Sequence, residues 1–500
     1  MEQREQWGSK AGFIIAAISS AVGLGNIWRY PYVVYENGGG AFLIPYFIAL
    51  LTAAIPILIM EYALGHRSRG SVPRTFQGLS RRFEWIGWWQ IFICVVIISY
   101  YMAIIGWALS YTYYSIGTQW GNDPESFFFK NFLGMSDSFW NFGGIQWKVL
   151  LPVLLAWAAL YFVLIKGVKK GIEKSAKILM PILVVFMIII TIRGVTLPGS
   201  VEGLNVLLTP KFSALADPKV WIAAYGQVFF SLSIGFGIMM TYSSYLPKKS
   251  DLSNSAFIAG LANSGFEFLA ALGVFGALGF LAVQQGVGVE NVAKAGVGLA
   301  FVVFPNIINE FPGLNSLFGV CFFGALLFAG FTSAVSILEP CISAVREKFN
   351  LTRKAAVNWV CGITFVLSLL YTTRGGLRYL DTIDRFINSY GIVLAGLAEV
   401  IVLAWVLRQL DQIRDHVNGV SIIRIGRWWN FVLAVVTPII LIIMTAFNLV
   451  DELKKPYEGY PMSGLIVMGW GVAALVIVFG WIAQSISWKD QAMTTGRDEQ

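Results

Sequence analysis

Ser19-Ser20-Ala21-Val22-Gly23-Leu24-Gly25-Asn26-Ile27-Trp28-Arg29-Tyr30-Pro31 lies in an apolar stretch, 11–35, long enough to cross a bilayer. About 20 apolar residues cover the hydrocarbon thickness. Two glycines and a carboxamide near the middle weaken a helix just where it is most needed. A second passage, Gln227-Val228-Phe229-Phe230-Ser231-Leu232-Ser233-Ile234-Gly235-Phe236-Gly237, repeats the pattern inside 219–246. From Gly23 to Gly235 is 212 residues. One such glycine pair reads as close helix packing. Two pairs at matching places, each beside Asn or Ser, read as two helices broken at mid-depth.

Outward from these passages the chain is almost continuously apolar. Further spanning stretches lie near 40–65, 84–117, 147–166, 175–194, 253–284, 316–346, 354–372, 386–408, 428–451 and 463–487, about twelve in all. Hydrophobic residues make up 57% of the 500 and charged residues 13%, against about 25% charged in a soluble domain. Mean hydropathy is +0.68. A soluble or disordered chain is therefore excluded. The stretches are too long for barrel strands, so they are helices. The fold class is an all-α polytopic membrane protein.

The two broken spans are the first and the sixth, so they open two five-span halves. Five is odd, and the second half must enter from the opposite side. This is a five-plus-five inverted repeat with broken helices 1 and 6, the plan of many secondary transporters. The expected units are an N-terminal segment 1–10, a first repeat 11–194, a second repeat 219–408, two extra helices within 428–487, and a tail 488–500. The first stretch does not read as a cleaved signal peptide, because its flank is weakly charged and glycines interrupt it.

Net charge is +8. Segments 1–10, 66–82, 166–177, 248–249, 346–354, 408–427 and 487–500 are alternate connections and hold 24 of the 36 Lys and Arg. The bias puts both termini in the cytoplasm of a plasma membrane, such as a bacterial inner membrane. It accounts for the positive charge without a nucleic-acid partner. The four cysteines, Cys94, Cys321, Cys341 and Cys361, lie in apolar runs and should be unpaired.

Polar groups at membrane depth are functional candidates. Asn26, Asn263, Ser231, Thr332 and Ser333 offer neutral oxygens of the kind a hard monovalent cation accepts. Single hydroxyls of this sort also bond back to their own helix. Glu61, Glu267, Glu339 and Glu399 are acids within spans, Arg29 follows the first break, and Asp384 opens the tenth span. His66 and His416 fall in connections and are expected to be solvated. No phosphate loop, HExxH or GxSxG occurs, so an enzyme is not expected.

The run Ala21–Pro31, followed by Glu36-Asn37-Gly38-Gly39-Gly40-Ala41-Phe42 and Pro45-Tyr46, resembles the neurotransmitter:sodium symporter family. The likeness covers nearly the whole chain and is nearest to the family's bacterial sodium-coupled amino-acid transporters. It implies a sodium-coupled symporter that imports a neutral, hydrophobic L-amino acid by alternating access within the lipid bilayer. A proton-coupled permease and a ligand-sensing receptor are the alternatives.

The resemblance also implies roles for residues. A first Na+ would meet Ala21, Asn26, Ser231 and Asn263, and a second Ser19, Val22, Ala329, Thr332 and Ser333. Substrate would touch Ala21, Leu24, Gly25, Ile97, Tyr101, Phe230, Ser231, Ser233, Phe236, Ser333 and Ile337. Glycine at 23, where the family's monoamine carriers have aspartate, points to a substrate with its own carboxylate. Glu267 would stand in for chloride, surrounded by Tyr46, Gln227, Ser231 and Asn263. No chloride requirement is then expected, and proton counter-transport becomes available. Arg29 and Asp384 would form the extracellular gate. Arg4 and Glu347 would form the cytoplasmic one, with Trp7, Ser244 and Tyr245 nearby. Spans eleven and twelve, outside the repeat, are a candidate homodimer surface.

Overall fold

Every peptide N–H and C=O in hydrocarbon must find a partner within the chain. The computed structural model describes residues 5–489. Among the described residues no strand forms, and the one isolated bridge joins Ile145 to Thr373. Ten continuous helices are long and apolar enough to cross a membrane. Spans two to five are Gly39–Ser68, Arg81–Tyr114, Trp147–Ile165 and Val168–Thr196. Spans seven to twelve are Leu252–Gln285, Asn315–Phe349, Arg353–Thr372, Gly376–Val406, Arg427–Gly459 and Met462–Ser485.

The remaining two spans are interrupted. Span one is Lys10–Ala21 followed by Leu24–Glu36, bent by 54°. Val22 and Gly23 between them are extended, and the Gly23 N–H turns to the Asn26 side chain at 2.8 Å. Span six is Pro218–Ser231 and Ile238–Ser244. Its interruption runs through Ser233, Gly235 and Gly237, all at positive φ. Glycine takes that conformation without steric cost. Both breaks fall where the Gly-x-Gly pairs placed them.

Position in the bundle follows from how much of each helix is covered. The most apolar windows of spans three and eight are 78% and 83% buried, whereas those of spans five, eleven and twelve are 28–33% buried. Spans three and eight pack along each other at the centre. Spans five, eleven and twelve face lipid. Glycines set the closest approaches. A Cβ on Gly65 of span two would collide with the Met240 carbonyl of span six, and one on Gly203 with the Phe275 carbonyl. All four cysteines are buried and free.

Two expectations change. Span ten starts at Gly376, not near 386, so Asp384 sits well inside it. Its first turns are too charged for a hydropathy reading, yet those charges have partners. Arg385 pairs with Glu452 at 2.9 Å, and Asp381 accepts from the Tyr457 and Tyr460 hydroxyls, each at 3.0 Å.

The connections after spans three and seven are partly helical. They hold the short helices Pro124–Ser126 and Val289–Val292.

The histidines are not solvated. An amphipathic helix, Leu410–Val420, folds back against span two. It brings His416 Nε2 to 2.9 Å from His66 Nδ1, while His66 Nε2 lies 2.9 Å from the Pro247 carbonyl. A carbonyl only accepts, so His66 Nε2 carries a proton. Burial first, then His66 and Arg67, lower the pKa of His416.

Gly65→Val should destabilise the protein by about 1–3 kcal/mol, because two backbones must separate. Thermal unfolding in detergent, with Gly78→Val in open space as control, checks this. Equal midpoints for the two variants would contradict the packing assigned to Gly65.

Candidate functional site

A helix that stops at mid-depth leaves carbonyls without their usual donors. The Ser19 carbonyl would normally accept from the Gly23 N–H, which instead serves the Asn26 side chain. The Ser20 carbonyl accepts from two hydroxyls, Ser233 Oγ at 3.0 Å and Ser333 Oγ at 3.3 Å. Ser333 Oγ also lies 3.4 Å from the Val22 carbonyl. Spans six and eight are thereby tied to the break in span one. The break in span six is held from behind by Glu61, whose Oε1 accepts the Gly235 N–H at 2.6 Å.

Beside the first break lies a connected set of polar side chains. Asn26 Nδ2 donates to Asn263 Oδ1 at 2.8 Å and to Ser231 Oγ at 3.3 Å. Asn263 Nδ2 donates to Ser231 Oγ at 2.5 Å. Ser231 Oγ donates in turn to Glu267 Oε1 at 2.7 Å, which also accepts from Gln227 Nε2 at 2.8 Å. The Tyr46 hydroxyl donates to Glu267 Oε2. All of these residues are buried. The structure thus gathers Asn26, Ser231 and Asn263 around Glu267, with Ala21 ending the helix beside them.

The second proposed group divides. Ser19 and Thr332 border a small gap of about 10 Å³, near the least volume that admits a water. Val22 and Ser333 meet through the bond above. Thr332 Oγ1 is turned to its own helix, 2.9 Å from the Phe328 carbonyl and 3.2 Å from that of Ala329.

Above the breaks a cavity of about 620 Å³ opens. Ala21, Leu24, Gly25, Ile97, Tyr101 and Phe230 line it, as do Ser231, Ser233, Phe236, Ser333 and Ile337. These are all the residues expected to touch substrate. The volume is in the range of small-molecule sites. A Cβ on Gly23 would lie 3.1 Å from Ser333 Oγ and 3.3 Å from the Tyr101 hydroxyl, so a longer side chain there would crowd both.

Arg29 and Asp384 border the same cavity, but among the described residues they form no ion pair. The Arg29 guanidinium stacks on the Phe230 ring at 4.3 Å. Asp384 Oδ1 accepts from the Tyr100 hydroxyl at 2.6 Å and from Asn388 Nδ2 at 2.7 Å.

The opposite end is sealed. Trp7 Nε1 donates to the Tyr242 carbonyl at 2.7 Å, and its ring meets Tyr242 and Phe13 edge-on. The Tyr245 hydroxyl donates to Glu339 Oε1 at 2.8 Å. Arg353 holds Glu339 through two bonds, at 3.0 and 2.8 Å, and reaches Glu5 at 3.0 Å. Glu347 Oε2 accepts the Ser71 N–H at 2.8 Å. Arg4 lies outside the described residues.

Sequence reasoning marked Glu339 as a buried acid but missed Arg353, its partner. The signal was available: a buried carboxylate needs a counter-charge, and Arg353 opens the next span. Glu84 and Lys348, paired at 2.7 Å and both buried, were also missed.

A cavity that reaches the two places where spanning helices are interrupted belongs to the architecture of secondary transporters. The sequence matches the sodium:neurotransmitter symporter family over residues 4–124 and 117–490, and the chain belongs to that family of sodium-dependent transporters. A sodium-dependent transporter of Methanocaldococcus jannaschii is 42% identical over 484 residues, 97% of this chain and 98% of that protein. The sodium- and chloride-dependent taurine transporter of Homo sapiens is 31% identical, covering 94% of this chain and 82% of its own. The sodium-dependent dopamine transporter of Caenorhabditis elegans is 30% identical, covering 91% and 82%.

Arg353→Met should cost about 3–5 kcal/mol, because Glu339 is left charged and buried. Adding Glu339→Gln should recover most of that loss. Thermal unfolding of the single and double variants checks both, and no recovery would contradict the pairing.

Proposed function

We propose that the protein is a sodium-coupled symporter that imports a neutral, hydrophobic L-amino acid, with two sodium sites, no chloride requirement and proton counter-transport. The observation that carries this is the joined network Asn26–Ser231–Asn263–Glu267 at the base of the cavity. It offers carboxamide and hydroxyl oxygens to a hard cation and sets a carboxylate behind them.

The cavity supports the substrate class. Ile97, Phe230, Phe236 and Ile337 give it apolar walls, and a charged side chain would find no partner among them. Gly23 leaves no acid to receive a lone amine. The substrate's carboxylate would reach the first sodium and Tyr101, and its ammonium the carbonyls at the breaks. Sodium and substrate then raise each other's affinity by the same factor.

One feature of a relative and one of this chain bear on the anion. The taurine transporter is named as chloride-dependent. Here Glu267 accepts from Tyr46, Gln227 and Ser231, the donors an anion in that place would use. A carboxylate there balances sodium on the way in and returns carrying a proton.

The basic end, with Trp7 and Arg353, is cytoplasmic, and both termini lie on that side of the plasma membrane. The units 11–194 and 219–408 are the repeats, and a bundle of spans one, two, six and seven rocks against the remainder. Each sodium gains about 2.3 kcal/mol per 100 mV on entering a negative interior.

Proteoliposomes with inward sodium or choline gradients test the reading against a panel of labelled amino acids. Sodium-dependent, saturable accumulation of a neutral amino acid is expected. Accumulation indifferent to sodium would replace it with a proton-coupled permease, and binding without accumulation with a sensor. Asn263→Ala should raise the sodium concentration for half-maximal uptake about tenfold, the worth of one oxygen contact to a charge. Glu267→Ser should make uptake depend on chloride, and equal rates in chloride and gluconate would remove that role from Glu267.

A further inference from the structure

Lys166, in the turn between spans four and five, and Lys169, Lys170, Lys174 and Lys177, at the start of span five, surround one surface cavity of about 740 Å³. All five lysines are exposed. Glu173 is the one carboxylate in the lining, and it is already engaged. Its Oε2 accepts the Gly8 N–H at 2.6 Å, and its Oε1 accepts from Ser9 Oγ at 3.1 Å and Lys177 Nζ at 2.6 Å. Among the described residues, the other four ammonium groups have no carboxylate within ion-pair distance. Glu5, the nearby acid that accepts the Val168 N–H, is paired with Arg353 and Arg346.

The groove is basic at one edge and apolar at the other. Val163 and Ile178 are the apolar side chains of its lining, and Phe162 and Ile182 continue an exposed apolar face along the same two helices. A free anion would meet only the basic edge of the groove. A phospholipid with a net negative headgroup satisfies both. Basic pockets between spanning helices on the cytoplasmic side are suited to such headgroups.

We infer that this groove binds the phosphate of an anionic glycerophospholipid from the adjoining leaflet. The site does not depend on the identity of the cargo. It does touch the sealed end. Lys177 Nζ also reaches Ser9 Oγ at 3.2 Å, and residues 8–9 follow directly on Trp7. A phosphate beside Lys177 competes with Glu173 for it and loosens the clamp on the N-terminal segment.

The full chain, delipidated and returned to nanodiscs of phosphatidylcholine with or without phosphatidylglycerol, tests the site by native mass spectrometry of retained lipid. Phosphatidylglycerol should be retained in preference to phosphatidylcholine. The variant Lys166→Gln/Lys169→Gln/Lys170→Gln/Lys174→Gln should bind it about tenfold more weakly or worse. Lys248→Gln/Lys249→Gln, at another basic connection, should bind as the parent does.

Equal retention by parent and quadruple variant would overturn the site. So would an equal loss in the Lys248/Lys249 control, which would reduce the effect to general surface charge. Displacement by glycerol phosphate at matched concentration would reassign the groove to a free anion. Amide exchange at 8–12 should quicken in phosphatidylglycerol for the parent alone, and unchanged exchange despite retained lipid would remove the link to the clamp.

Discussion

A spanning helix interrupted at mid-depth must find partners for the backbone groups it releases, and the rest of this protein is arranged around that demand. Water cannot supply them from the bilayer. The chain does so with side chains from other spans. Asn26 turns back to the Gly23 amide, Ser233 and Ser333 reach the Ser20 carbonyl, and Glu61 reaches the Gly235 amide. Each bond joins two different spans or closes one break. The breaks therefore position spans two, six and eight as much as those spans hold the breaks. Only those carbonyls and hydroxyls facing the cavity are left to exchange partners.

The same reasoning explains the concentration of acids in so apolar an interior. An isolated carboxylate in such surroundings is very costly, and it persists only with donors or a cation beside it. Glu267 has three donors, and Glu339 has Arg353 and Tyr245. Glu399 accepts from Gln90 at 2.7 Å. Each of these sites ties together spans distant in sequence. A substitution at any of them would strand a charge or an amide as well as remove a bond.

The breaks were legible because they need unusual residues at a particular depth. Gly23, Gly25, Gly235 and Gly237 stand out in apolar runs, and their spacing carries the repeat. Most boundaries were legible for the opposite reason, since hydropathy changes sharply at membrane surfaces. Span ten was misplaced because Arg378, Asp381, Asp384 and Arg385 look like a loop until their partners are known. Apart from Asn388, the partners lie far off in sequence, in Tyr100, Ser136, Tyr457, Tyr460 and Glu452. His66 and His416 failed similarly: 350 residues separate them, and only the return of the 410–420 helix brings them together. The sequence could name Glu339 as an anomaly but not choose Arg353 from the basic residues clustered nearby.

The two ends of the bundle are unlike, and the difference lies in what their arginines touch. Arg353 is committed to two carboxylates, an arrangement whose loss strands charge on both sides. Arg29 has instead settled on the face of Phe230, and Asp384 has taken Tyr100 and Asn388. A cation over an aromatic face is worth about 0.5–2 kcal/mol, so this contact is the easier to exchange. Phe230 is also part of the cavity wall. Whatever packs against that ring competes with Arg29 for it, and a displaced guanidinium has Asp384 on the same cavity wall to turn to. The cavity end can thus respond to occupancy through one shared side chain. At the sealed end, among the described residues, Arg353 bonds to Leu164, Glu339 and Glu5, none of which lines the cavity, so that end is reached through movement of the helices themselves.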